Sequence, residues 1–314
     1  MTFINYIKKA GILFTVSLGV ITVSAQEKGS YFTGSATLGS SSIKYDLENG
    51  SRKSGFGYGV QAGYSYYFNP NWGIATGVGI THYQSKGTFG SLTNENYFNL
   101  GNQVDDDDIS GETRNYELRA RLGNWKEKQT TFVLDIPIMG VYQTRFGDDK
   151  QWGFYGGLGV KLQIPVNTKF KIENNGGQMN VSGYYKDILI DMGAPGNPPV
   201  SQHGFGTIDN ANSVLTQEGS SKLKIGIAGT VEAGLLFDLQ NDMDLLLGGF
   251  LDYGFSDIKK SNQKGLITAP DQYLPGANNQ IGKGIGYNYM LNSDVTGKVN
   301  LISFGVKVGL RFKL

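Results

Sequence analysis

Hydrophobic and polar residues alternate with a period of two through much of this chain, most cleanly at its end. Over residues 299–314, Ile302, Phe304, Val306, Val308, Leu310, Phe312 and Leu314 fall on one side, and Ser303, Gly305, Lys307, Gly309, Arg311 and Lys313 on the other. Successive side chains of an extended strand point to opposite faces, so the segment predicts a strand with one continuously apolar face. Its other face is small or charged, which suits hydrocarbon outside and a polar barrel interior better than the edge of a soluble sheet. Seven further segments repeat the pattern and predict strands at 31–43, 58–68, from Trp72 to His82, 131–146, 152–166, 222–239 and 244–258.

The connections between these strands alternate in length. Those after the second, fourth and sixth are short, and Asn69-Pro70-Asn71 places proline where a tight turn favours it. Those after the first, third, fifth and seventh are longer and polar: 44–54, 85–130, 167–221 and 259–296. Pro195, Pro198 and Pro199 argue against regular structure in the third of these. Residues 116–122 alternate again, but they fall short of the ~9–11 residues that a spanning strand needs. They predict a strand projecting above the membrane and not a ninth crossing. An even strand number, short turns at one end and long loops at the other together predict an all-β fold: an eight-stranded antiparallel up-and-down transmembrane β-barrel with long external loops.

Strand parity points Asp135, Arg145, Lys161, Glu232, Asp252, Lys307 and Arg311 inward. Eight strands leave an interior about filled by side chains, so charges of both signs are expected to pair there. Lys307 and Arg311 are expected to offset Asp135, Glu232 or Asp252. On this reading the barrel is plugged; the competing reading is a narrow porin-like channel for small solutes, lined by the same charges.

Composition supports strands as the crossing elements. Glycine, at 46 residues, and aromatics, at 12%, are abundant and prolines number 8, as many strands and turns require. Lys8 and Lys9 precede an apolar run from Gly11 to Val23, and Val23-Ser24-Ala25 offers small residues for cleavage. This predicts a secretory signal peptide at 1–25 and an exported barrel domain at 26–314; the competing membrane anchor needs a longer run. Elsewhere no stretch reaches the ~18 uninterrupted apolar residues of a membrane helix. The chain has no cysteine, which excludes disulfides and thiolate zinc sites. A formal net charge of +1, one unit acidic once Lys8 and Lys9 are removed, invites no nucleic acid.

Two sets of residues carry resemblances to known proteins. Lys307, Gly309, Phe312 and Leu314 resemble the C-terminal signal by which bacterial outer-membrane barrels meet their assembly machinery. The runs Tyr116-Glu117-Leu118-Arg119, Asn124-Trp125-Lys126-Glu127 and Asp135-Ile136-Pro137-Ile138-Met139 resemble the OmpA-like outer-membrane barrels of Bacteroidetes. That resemblance implies residence in the outer membrane, in contact with its lipid. Many such barrels carry a peptidoglycan-binding domain after the last strand; this sequence ends with that strand, so wall anchoring is not expected.

Candidate chemistry is sparse. Asp106, Asp108, Ser110, Gly111 and Glu117 occupy the first, third, fifth, sixth and twelfth places of a calcium-loop pattern, against a reading as a solvated acidic loop. No other cofactor is expected. The histidines are His82 and His203. His82 has outward parity and Ser85 points to the other face, which disfavours a local Ser–His pair. Gly57-Tyr58-Gly59-Val60-Gln61-Ala62 formally matches part of a dinucleotide fingerprint, but no helix follows it. Trp72 and Trp152 begin strands beside short turns and suit an aromatic girdle. The expected function is non-enzymatic: a structural or interaction barrel whose external loops contact a ligand or another envelope or surface protein, with a membrane hydrolase as the weaker alternative.

Overall fold

The computed structural model describes residues 29–90, 93–104, 113–146, 151–173, 177–185, 190–192, 206–208, 215, 218–239, 242–260, 265–268 and 285–314. The signal-peptide segment 1–25 and His203 lie outside them. Eight antiparallel strands form a ring: β1 (Gly29–Lys44), β2 (Phe56–Tyr67), β3 (Trp72–Phe89), β4 (Trp125–Phe146), β5 (Trp152–Ile172), β6 (Gly226–Asp238), β7 (Met243–Gly254) and β8 (Asn300–Lys313). Each pairs with the next, and β8 pairs back on β1 from Lys313 opposite Tyr31 to Asn300 opposite Lys44.

The period-two pattern sets the faces. Phe32, Leu38, Val60, Ile74, Ile138, Leu158, Val231, Leu247, Phe304 and Val306 all stand exposed on the outer wall. Aromatic pairs bound this apolar band at both edges. Towards the short turns Trp72 meets Tyr142 edge-on, with ring centres 4.9 Å apart, and Phe146 meets Trp152 at 5.0 Å. Towards the other edge His82 lies between Tyr58 and Phe132, 5.0 Å from each. Between Phe132 and Tyr142, β4 has the ~9–11-residue length of a membrane-spanning strand.

Local chemistry accounts for the irregularities. Asn69 Oδ1 accepts from the backbone N–H groups of Asn71 (2.9 Å) and Trp72 (2.7 Å), which closes the β2–β3 turn. The β3–β4 ladder breaks opposite Ile136-Pro137, where proline has no N–H to offer. The Thr76 hydroxyl donates to the Pro137 carbonyl there, at 2.8 Å. Pro165 sits at a register shift between β4 and β5, a place that tolerates the missing donor.

Beyond the band the long connections are more ordered than their composition suggests. β3, β4 and β5 overrun the apolar band, and Ser51–Ser54 pairs with the overrun of β3. A second sheet, outside the ring, contains Thr93–Val104, Thr113–Gly123, Gln178–Tyr185, Ile190–Met192 and Gly206–Ile208. Part of the stretch before the proline cluster is thus regular strand, contrary to expectation. Residues 116–122 belong to this sheet and add no ninth stave to the ring. Its Ala120, Leu122, Met179 and Val181 pack with Phe89, Trp125, Phe170 and Ile172 of the overrunning strands. Ile285, Tyr287, Met290 and Val295 complete that core, so the end of the connection 259–296 is not a solvated polar loop.

Candidate functional site

The polar side chains of the barrel point inward and fill it in tiers. Nearest the short turns, Asp244 receives Arg145 Nη2 at 2.7 and 2.8 Å and Arg311 Nη2 at 2.6 Å. The Arg311 guanidinium also lies over the Tyr31 ring, 4.4 Å from its centre, and Tyr31 packs edge-on against Tyr67. In the middle, Lys307 pairs with Glu232 at 2.6 Å and Lys161 with Asp252 at 2.7 Å. Thr230 donates to the second oxygen of Asp252 and Thr81 to Asp135, each at 2.6 Å. Above them Gln163 donates to the Tyr83 hydroxyl at 3.1 Å, and Ser41 and Ser303 meet at 2.7 Å.

The seven charged residues assigned inward by parity therefore stand in one continuous lumen. Lys307 meets Glu232, one of its three expected partners, whereas Arg311 takes Asp244, which parity reasoning did not place in the interior. The available signal was its spacing: Asp244 and Asp252 are an even number of residues apart on one strand and share a face.

At the mouth, residues 285–296 form a strap packed against the inner side of the overrunning strands. Glu127, wholly buried beyond the apolar band, accepts hydrogen bonds from the Tyr287 hydroxyl (2.5 Å), the Gln129 amide (2.8 Å) and the Met290 N–H (3.0 Å). Burial pushes its carboxyl up to about 7, against the pull of those three donors. Tyr45 extends the network by donating to Gln129 at 2.9 Å. From the other side Lys259 Nζ donates to the carbonyls of Ser293, at 2.7 Å, and Thr296. Two small cavities, of about 60 and about 20 Å³, lie among the tiers below. They are sized for a few waters, and not for a solute.

Of the assembly-signal residues, Lys307 is inside on Glu232, Gly309 lies opposite Ser35, and Phe312 and Leu314 are exposed near the short-turn rim. Asp106, Asp108 and Ser110 of the calcium pattern, with Gly111, lie outside the described residues; Glu117 is on Thr113–Gly123, 3.8 Å from Arg119. Ser85, turned inward, donates to the Ile43 carbonyl, away from His82. Among the described residues no group of three His, Asp or Glu side chains is placed to hold a metal.

Residues 24–260 match the family described as Outer membrane protein beta-barrel domain. No curated protein matches the chain in sequence. Among solved structures it is similar to Neisserial surface protein A, at 11% identity and a TM-score of 0.34, covering 92% of this chain and 100% of that one. It is also similar to the outer membrane protein OprG from Pseudomonas aeruginosa, at 16% identity and a TM-score of 0.34, covering 91% and 95%. Ail, the attachment invasion locus protein of Yersinia pestis, follows at 12% identity and a TM-score of 0.30, covering 92% and 100%.

Proposed function

The chain belongs to the outer membrane protein β-barrel domain family and resides in the outer membrane, and from that premise we propose that it is a plugged barrel acting by contact at its outer mouth. The observation that carries this reading is the strap: Glu127 and Lys259 hold residues 285–296 at the mouth above a lumen already filled with ion pairs. The second sheet and the strap supply the surface for a ligand or for another envelope or surface protein. Within the family, the motifs between Tyr116 and Met139 support a place among OmpA-like barrels of Bacteroidetes, exported by the 1–25 segment and inserted through the tail.

Planar-bilayer recording of the refolded protein tests the plug. The expected result is a silent membrane at moderate voltage. Stepwise, ion-dependent openings in the wild type would overturn the plugged reading and establish the narrow channel. Affinity purification from native membranes, with and without the 93–123 segment, would then identify what the mouth contacts.

A further inference from the structure

Charge does not balance around the smaller of the two lumen cavities. Asp135, Glu232 and Asp252 line it against Lys161 and Lys307. Each lysine is engaged by a carboxylate of its own, Lys161 by Asp252 and Lys307 by Glu232. Lys161 also attracts Asp135, but among the described residues of the lining one carboxylate stays in excess. Asp135 is that carboxylate. It is 3% exposed, its Oδ2 accepts from the Thr81 hydroxyl, and its Oδ1 has no hydrogen-bond partner. Gln163, whose amide donates to the Tyr83 hydroxyl, acts on it only at longer range.

The register gathers neutral oxygens beside this atom. Two adjacent inward rungs each place a glycine between polar residues: Thr37, Gly59 and Thr81 on one, and Gln61, Gly79 and Asp135 on the next. The Thr37 and Thr81 hydroxyls converge over Gly59, where a Cβ would lie 2.8 Å from one and 3.0 Å from the other. Gln61 lies across Gly79, whose Cβ would meet the Gln61 Cβ at 3.2 Å. Thr37, Gln61, Thr81 and Asp135 all line the same void of about 20 Å³, room for one particle the size of a water. A buried charge must be compensated as well as hydrogen-bonded, and an orphaned buried acceptor calls for a water or an ion. A water would satisfy Oδ1 but leave the charge, and a proton would remove the charge but needs no void. A bare cation does both. One carboxylate among neutral oxygens suits a hard monovalent ion and lacks the several carboxylates of a calcium loop.

We propose that Asp135, with Thr37, Gln61 and Thr81, holds one dehydrated alkali-metal cation in the middle of the lumen. The four ligands come one each from β1, β2, β3 and β4, so the ion joins four consecutive strands on the side of the ring where inward glycines leave the interior thinnest. Their oxygens take the place of its hydration shell. The inference does not rest on what the mouth contacts, since it concerns the charge balance inside the ring.

The test compares unfolding rates of the detergent-held full barrel in sodium, potassium and choline chloride at one ionic strength and at about pH 8. Choline is too large for the void. The wild type is expected to unfold at least about threefold more slowly in one of the alkali salts than in choline, since a ligand of the folded state alone stabilises it. D135N should unfold at the same rate in all three. T37V keeps the charge and loses one ligand, so it should shrink the alkali effect, and it serves if D135N does not fold. Crystals grown with thallous ion, an alkali mimic, should show an anomalous peak beside Asp135 in the wild type and none in T37V or D135N. Equal wild-type rates in the three salts, an alkali effect that survives in D135N, or a water without anomalous signal at that place would overturn the proposal. So would a carboxylic-acid infrared band of the wild type that D135N lacks, which would assign a proton in place of the cation.

Discussion

Single residues hold the two ends of the lumen, and each makes a measurable demand. Asp244 serves two guanidinium groups at once. Asp244→Ala would remove the carboxylate that Arg145 and Arg311 share, a loss expected to cost ~3–5 kcal/mol in urea unfolding of the detergent-held barrel. A cost under ~1 kcal/mol would show that the arginines find other partners. Glu127 makes a demand on pH. Its carboxyl ionises at about 7 when buried, above the ordinary value of 4.5, so the folded state keeps the proton over the interval in which the unfolded state releases it. Strap anchoring is therefore strongest below about pH 4.5 and weakens up to about pH 7. Hydrogen exchange of the 285–296 amides, corrected for intrinsic rates, should speed up across that window; Glu127→Gln should flatten the response. The inward charges were legible because side-chain parity is strict within a strand. Glu127 and Lys259 were not, because their partners are backbone groups and a hydroxyl of a strap with no periodicity.

At the scale of elements, the strands were legible where the outer face is greasy and illegible where it is not. The overruns of β3, β4 and β5 keep the same two-residue alternation, but much of its chemistry is reversed: Lys86, Lys126, Lys128, Lys169 and Lys171 turn outward while Phe89, Trp125, Phe170 and Ile172 turn inward. A search for apolar-out strands ends where water replaces lipid, although the backbone continues. The reversal thus marks the membrane boundary more sharply than strand length does. The β1–β8 seam depends on a different property, close backbone approach. Gly39 stands opposite Gly305, and a Cβ at Gly305 would collide with the Leu38 carbonyl oxygen and lie 2.7 Å from the Gly39 Cα. Gly305→Val is expected to cost ~1–3 kcal/mol by overpacking and to reduce the heat-modifiable, folded fraction after refolding. A full yield of folded barrel would show that the seam can widen to accept it.

For the whole molecule, alternation and loop parity were enough to foretell an eight-stranded ring, because closure, tilt and an even strand number constrain one another. The mouth escaped that logic. Its second sheet and strap are held by contacts between segments far apart in sequence, such as Ala120 and Leu122 with Met179, Val181 and Tyr287, and no local pattern encodes such a meeting. The two halves of the molecule consequently answer to different solvents. The lower half is an inside-out protein set in lipid, and the upper half is a small aqueous domain with its own apolar core. One detail of the ring bears on how such an object is oriented. The Leu314 N–H donates to the Ser30 carbonyl at 2.8 Å, so the chain ends beside its own first strand after an even number of crossings. Strand β1 therefore begins and strand β8 ends at the short-turn edge of the ring, whereas the second sheet and the strap stand at the opposite edge: a tag placed beside either strand end would report one face of the membrane, and a label on the strap the other.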